Sequence, residues 1–328
     1  MDIELSFCPK GRKQQLWVGL LAAEGLEADL SVERTVLIWE GDELIATGSR
    51  QGNLLKCIAV SSSHQGEGLT ATVLTQLRQD AFDAGHRHLF LYTKPKNKLQ
   101  FQSLFFYPVA QTEQVLLMED QPSGIRKFLD TLPVPHTGGN VGALVMNCNP
   151  FTKGHRYVIE TASKECDHVY IFVLSEDKSR FSATDRLAMV QLGTADLPNV
   201  TVLTTGPYLI SSATFPTYFL KEREKAESIH CLLDIEIFAK YFVPKFSITR
   251  RYVGTEPLSP MTGQYNEALR QHLPAKGIEF REIPRLEVAQ TPVSASAVRA
   301  LMDAGDLQTL RAIVPETTYT YLQTHDLI

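Results

Sequence analysis

Val141-Gly142-Ala143-Leu144-Val145-Met146-Asn147-Cys148-Asn149-Pro150-Phe151-Thr152-Lys153-Gly154-His155 reads as a buried strand that breaks at a polar turn and re-enters as a helix. Six small or apolar residues in a row suit a parallel strand covered on both faces. Pro150 ends the ladder because it has no amide to give. Gly154 and His155 open a helix expected over residues 154–166. A helix start presents free amides and partial positive charge, so this turn suits a phosphate.

Downstream the same pattern repeats. Strands are predicted over 169–174, 200–203, 248–253 and 278–283, with a helix over 184–192. Strands alternating with helices of this length imply a parallel sheet with right-handed crossovers, five strands in all. Ligands of such sheets sit at the carboxyl ends of the strands. That gathers the loops after Met146, Leu174, Leu203 and Val253 around one site.

Upstream the order differs. A helix is expected over 13–25, with Leu16, Leu20 and Leu21 at helical spacing. Strands over 35–39 and 44–47 flank the turn Glu40-Gly41-Asp42-Glu43, a hairpin signal. A strand at Leu54–Val60 leads to a helix over 69–84 closed by Gly85, then strands over 88–92 and 115–118. Residues 121–140 hold three prolines and three glycines, and the run from Pro133 to Gly139 can continue neither helix nor sheet interior. Two domains are therefore expected, 1–132 and 138–328, as a chain of 328 residues also suggests.

Composition narrows the function. The chain is 44% hydrophobic and carries a formal net charge of −5, which argues against a nucleic-acid protein. The N-terminus has no apolar core behind its charges, and no apolar run approaches the roughly 20 residues of a membrane span. Five cysteines (Cys8, Cys57, Cys148, Cys166, Cys231) lie scattered without CxxC spacing, which fits reduced thiols in the cytoplasm. Cys148 reads as a small buried residue, and Lys153 is as well explained by solvent as by phosphate.

Two motifs carry the chemistry. Thr152-Lys153-Gly154-His155 resembles the HxGH signature of the nucleotidyltransferase superfamily, with Thr152 where the first histidine usually stands. Val293-Ser294-Ala295-Ser296-Ala297-Val298-Arg299 resembles the late I-S-x-S-x-I/V-R signature. The resemblance implies catalytic roles for His155, Thr152 and Arg299, and nucleotide contacts from Asn149, Phe151, Gly154, Gly254, Ser294 and Ser296. Attack on the α-phosphate of ATP with release of pyrophosphate is the expected reaction.

Closer still, residues 206–221, 175–177, 234–238, 251–257 and 282–285 are similar to the corresponding segments of the citrate lyase ligase family. That family joins an acetyltransferase-like α/β domain to a Rossmann-like, parallel-sheet nucleotidyltransferase domain. In the first half, Gln65-Gly66-Glu67-Gly68-Leu69-Thr70 follows a strand, opens a helix and resembles the pyrophosphate loop of the GCN5-related acetyltransferases, with Thr70 where Gly or Ala is usual. The family resemblance implies activation of acetate as acetyl adenylate. It also implies transfer to the prosthetic-group thiol of the citrate lyase acyl carrier subunit, with AMP and pyrophosphate released. ATP is then a substrate, Mg²⁺ comes with it, and no metal ligand is expected from the protein. Gln65, Gly66 and Gly68 would hold the carrier's coenzyme-like arm, unless the first domain is only a scaffold. A nucleotidyltransferase of coenzyme A or NAD biosynthesis, fused to an acetyltransferase-like domain, is the alternative.

Overall fold

The computed structural model describes all 328 residues except 137, 176–178, 210–214, 221–225, 257–259 and 289–290. The chain forms two compact units, Met1–Gly124 with Pro216–Ile229, and Ile125–Phe215 with His230–Ile328.

The first unit is a seven-stranded sheet in the order β1-β2-β3-β4-β5-β7-β6. Its strands are β1 (Asp2–Ser6), β2 (Arg34–Glu40), β3 (Glu43–Gln51), β4 (Leu54–Val60), β5 (Phe90–Thr93), β6 (Tyr107–Gln111) and β7 (Leu116–Glu119). Its helices are α1 (Gly11–Ala23), α2 (Leu69–Asp83) and α3 (Lys98–Ser103). Gly41 takes a positive φ of 58° in the β2–β3 turn, as a tight hairpin needs. Leu69, Val73, Leu77 and Ala81 repeat every four residues along α2 and bury against Val36, Ile45, Leu55 and Leu91 of the sheet. The helix crosses at Gly48, where a Cβ would lie 2.4 Å from Val73 Cγ1. Only β4 and β5 run parallel, and they pair only at Leu54–Phe90 and Leu55–Leu91. Beyond that point the two strands part. This is the α/β layout that the acetyltransferase resemblance implies.

The second unit opens with α4 (Gly124–Thr131) and centres on a five-stranded sheet of β8 (Val141–Met146), β9 (His168–Val173), β10 (Val200–Thr204), β11 (Arg250–Gly254) and β12 (Glu279–Ile283). Every pairing is parallel and the order is β10-β9-β8-β11-β12. All six residues of β9 are buried, which is why it reads as an unbroken apolar run. One face carries α5 (Lys153–Glu165) and α6 (Ala183–Thr194), packed through Val158, Ile159, Met189 and Val190. On the other lie α7 (Ala226–Ile237), α8 (Val243–Phe246) and α9 (Pro260–His272), where Phe246 sits 4.8 Å from the Tyr170 ring and Phe242 5.1 Å from Phe172. The chain ends in α10 (Ala295–Ala304), α11 (Leu307–Ile313) and α12 (Glu316–Thr324).

The order reverses at β8, since β9 and β10 build outward on one side of it and β11 and β12 on the other. A ligand crevice belongs at such a switch point. β8 and β11 pair only at Gly142–Arg250 and Ala143–Arg251, so their carboxyl halves also part.

The division departs from the expected one in two places. The break falls at Gly124–Ile125 rather than in the proline-glycine run, because α4 packs Phe128 against Tyr208 at 5.6 Å. Residues 216–229, expected in the second domain, are part of the first unit.

Candidate nucleotide-activating site

Thr152 caps α5, its hydroxyl accepting from the His155 amide at 3.3 Å. His155 returns the favour, because its Nδ1 accepts from the Thr152 amide at 3.1 Å and lies 3.0 Å from the Thr152 hydroxyl. A histidine thus fills the place that glutamate takes in a common capping box. The amide-to-Nδ1 bond assigns the hydrogen of the neutral ring to Nε2, leaving Nε2–H as a donor for a ligand. Burial, helped by the nearby Arg285 charge, lowers the imidazole pKa to about 4. The departure at Thr152 therefore leaves the site with a cap and a neutral, oriented imidazole.

Gly154 stands where the two expected phosphate-binding helix starts meet. A Cβ on it would lie 3.2 Å from the carbonyl oxygen of Val293, the residue before the N-cap of α10. That cap is Ser294, whose hydroxyl accepts from the Ala297 amide at 3.0 Å and lies 3.0 Å from the Ser296 hydroxyl. Ser294 is buried and Ser296 exposed. One turn on, Arg299 Nη1 donates to the Asn149 carbonyl at 2.5 Å, while the Asn149 side chain accepts from the Phe181 amide at 3.2 Å. The structure thus brings together Asn149, Thr152, Gly154, His155, Ser294 and Arg299.

Phe151 needs correction. Its side chain has no exposed surface and stacks on His155 at 6.0 Å. Its ring also fills the space beside Gly193, where a Cβ would come within 2.4 Å of it. It is a core residue that backs His155, and its ring has no face for a nucleotide. Lys153 points away from the turn and donates to the Ala312 carbonyl at 2.7 Å. Cys148 is buried and burial pushes its thiol pKa far up, so it is no nucleophile.

A cavity of about 210 Å³ opens between the parting ends of β8 and β11. His155, Gly154, Gly254 and Thr152 all line it. The Gly254 carbonyl accepts from Asn266 at 2.9 Å, which fixes the strand end.

Two arginines that build the site escaped the reading of the sequence. Arg186 on α6 is fully buried and donates to the carbonyls of Asn147 and Leu174 at 3.1 and 2.8 Å, tying the β8 turn to the end of β9. Its signal was a charged residue in register with Met189 and Val190 on a core face. Arg285 lines the cavity, pairs with Glu256 at 2.5 Å and donates to the Val293 carbonyl at 3.1 Å. Its signal was only the family resemblance of residues 282–285.

In the first unit, the gap between the parted strands β4 and β5 is a groove of about 630 Å³. Gln65, Gly66 and Gly68 line it, and Gly68, at φ +77°, precedes the first residue of α2. Tyr218 forms part of its wall, donating to the Tyr92 carbonyl at 2.9 Å.

The citrate lyase ligase C-terminal domain model matches residues 141–322. The citrate (pro-3S)-lyase ligase of Escherichia coli K12 is 41% identical over 90% of this chain and 88% of its own length. The chain belongs to the citrate lyase ligase family. The Klebsiella pneumoniae citrate lyase ligase is 40% identical over 90% of this chain and 88% of its own. The ligase of Haemophilus influenzae is 35% identical over 95% and 96% respectively. These relatives do not favour the alternative of coenzyme A or NAD biosynthesis. Of the stretches that resemble the ligase family, residues 176–177, 210–214, 221 and 257 lie outside the described residues. Among the described residues no helix is long and apolar enough to cross a membrane.

Proposed function

We propose that this ligase activates acetate with ATP and acetylates the prosthetic-group thiol of the citrate lyase acyl carrier subunit in the cytoplasm. The observation that supports it most is the meeting of the two helix starts at Gly154 and Val293 in a chain of this family. The triphosphate lies across both starts, His155 donates to a non-bridging α-phosphate oxygen, and Arg299 with Ser294 and Ser296 faces the leaving pyrophosphate. Mg²⁺ travels with the triphosphate as part of the substrate.

The chemistry is positioning plus electrostatics. A carboxylate oxygen attacks the α-phosphorus, the bridging P–O bond breaks, and pyrophosphate departs with its electron pair. The product is acetyl adenylate. The carrier thiolate then attacks the acyl carbon and AMP leaves, giving the thioester. Phosphate-facing amides of the Gln65–Gly68 turn and the groove beside it suit the coenzyme-like arm of the carrier.

Exchange of labelled pyrophosphate into ATP tests the reading. It should require acetate and no carrier. Exchange that proceeds equally without acetate would exclude acetate as the attacking group.

A further inference from the structure

Arg251 is the last residue of β11 still paired with β8 before the two strands part. It lines the cavity that the fork creates, yet it is only 2% exposed. Among the described residues, neither its Nε nor its Nη1 has a hydrogen-bond partner. A buried guanidinium with idle donors is costly to fold around unless an anion completes it.

The chain's own groups complete it poorly. The guanidinium lies over the Phe238 ring at 4.8 Å, which supplies an attractive face but no hydrogen-bond acceptor in its plane. Asp234 feels its charge, but burial pushes that carboxyl upward and the Tyr265 hydroxyl already donates to it. Arg285, the cavity's other arginine, is taken up by Glu256 and the Val293 carbonyl. Arg251 is therefore the cation with unused donors at this cavity, among the described residues.

We infer that Arg251 is the carboxylate-binding residue of the activation site, holding a small monocarboxylate beside His155 for attack on the α-phosphate. The inference rests on the acetate-activating reading above. The cavity of about 210 Å³ has room for a small carboxylate beside Arg251. A guanidinium engaging one carboxylate oxygen leaves the other free to form the bond to phosphorus. The same contact neutralises the repulsion between the carboxylate and the phosphates, which otherwise opposes their approach.

Arg251→Lys and Arg251→Met in the full chain test the assignment by acetate-dependent pyrophosphate exchange. The expected result is an acetate KM raised roughly tenfold or more, as for loss of a charge-assisted hydrogen bond. The ATP KM should stay within about twofold, and Lys should be the milder change. An unchanged acetate KM in a folded variant overturns the assignment. So does a parallel rise of both KM values with a lower Tm, which marks a purely structural arginine. Should neither variant fold, the unaltered chain decides. Acetate should raise its Tm above that of acetamide, the neutral isostere, at matched ionic strength, and equal effects overturn the proposal. Exchange in the unaltered chain that ignores acetate would sink the activation reading. Acetate-dependent exchange that ignores Arg251 would sink only this assignment.

Discussion

Arg299 donates from Nη1 to the carbonyl oxygen of Asn149 at 2.5 Å, joining residues 150 positions apart. The late helix thereby holds the first turn, in addition to its proposed place at the leaving group. Arg299→Ala should weaken ATP binding roughly 10- to 100-fold, the range for a lost hydrogen bond to a charged partner. AMP, which lacks the β- and γ-phosphates, should lose much less. Calorimetry with both nucleotides checks this, and equal losses would confine Arg299 to holding the Asn149 turn.

His155→Ala should slow adenylation by about 10²-fold or more, comparable to removing an oxyanion donor, while ATP binding weakens less. Because the folded imidazole has its pKa lowered to about 4 from an ordinary 6.5, it is neutral at working pH and the exchange rate should show no His155 titration near 6.5. Stability carries the opposite signature. Between pH 6.5 and 4 the unfolded chain binds the proton that the folded one refuses, so the contribution of His155 is complete above 6.5 and lost as pH falls toward 4. His155→Gln should flatten that limb of the Tm–pH curve, and a parallel curve would show the ring to be freely protonated in the fold.

Gly154→Ala separates stability from activity. Alanine favours a helix interior over glycine by up to ~1 kcal/mol, which offsets the closer contact made in this first turn, so Tm should change little. The new Cβ, 3.2 Å from the Val293 carbonyl, must push the helix starts apart by a few tenths of an ångström. Exchange should fall roughly tenfold through misplacement of the phosphates. Undiminished exchange with an unchanged Tm would mean that the close approach serves packing alone.

Gly68→Val addresses the first unit. No atom lies within 4 Å of the Cβ position, so the cost is conformational, about 1–2 kcal/mol for a side chain at positive φ. Pyrophosphate exchange should persist, and acetylation of the carrier thiol should fall, chiefly through a higher KM for the carrier. A folded variant that loses both reactions equally, or neither, would make the first unit a scaffold.

The parallel sheet was legible because its central strands are buried on both faces and leave continuous apolar runs such as 169–173. β1 escaped notice because Asp2–Ser6 is a short, half-exposed edge strand, and β6 because Pro108 reads as a breaker within it. The paired helix starts were readable from the Gly154-His155 turn and the Val293–Arg299 motif, and the structure adds the caps at Thr152 and Ser294. Phe151 was misjudged because a phosphate-turn position says nothing of the side chain's direction, which packing against Gly193 decides. Arg186 and Arg285 depend on partners distant in sequence, as does the placement of residues 216–229. Local periodicity holds no trace of such contacts.

Tyr218 also bears on how the chain is made. Its residue and neighbours, Pro216–Ile229, complete a unit whose other residues end at Gly124. At roughly 5–20 residues per second on the ribosome, that segment emerges about 5–20 s after Gly124. Until then the groove between β4 and β5 waits without Tyr218 in its wall, with the nascent sheet open beside it. The N-terminal half therefore matures only after β8, β9 and β10 have been synthesised, and a gene fragment ending at residue 132 would encode an unfinished fold.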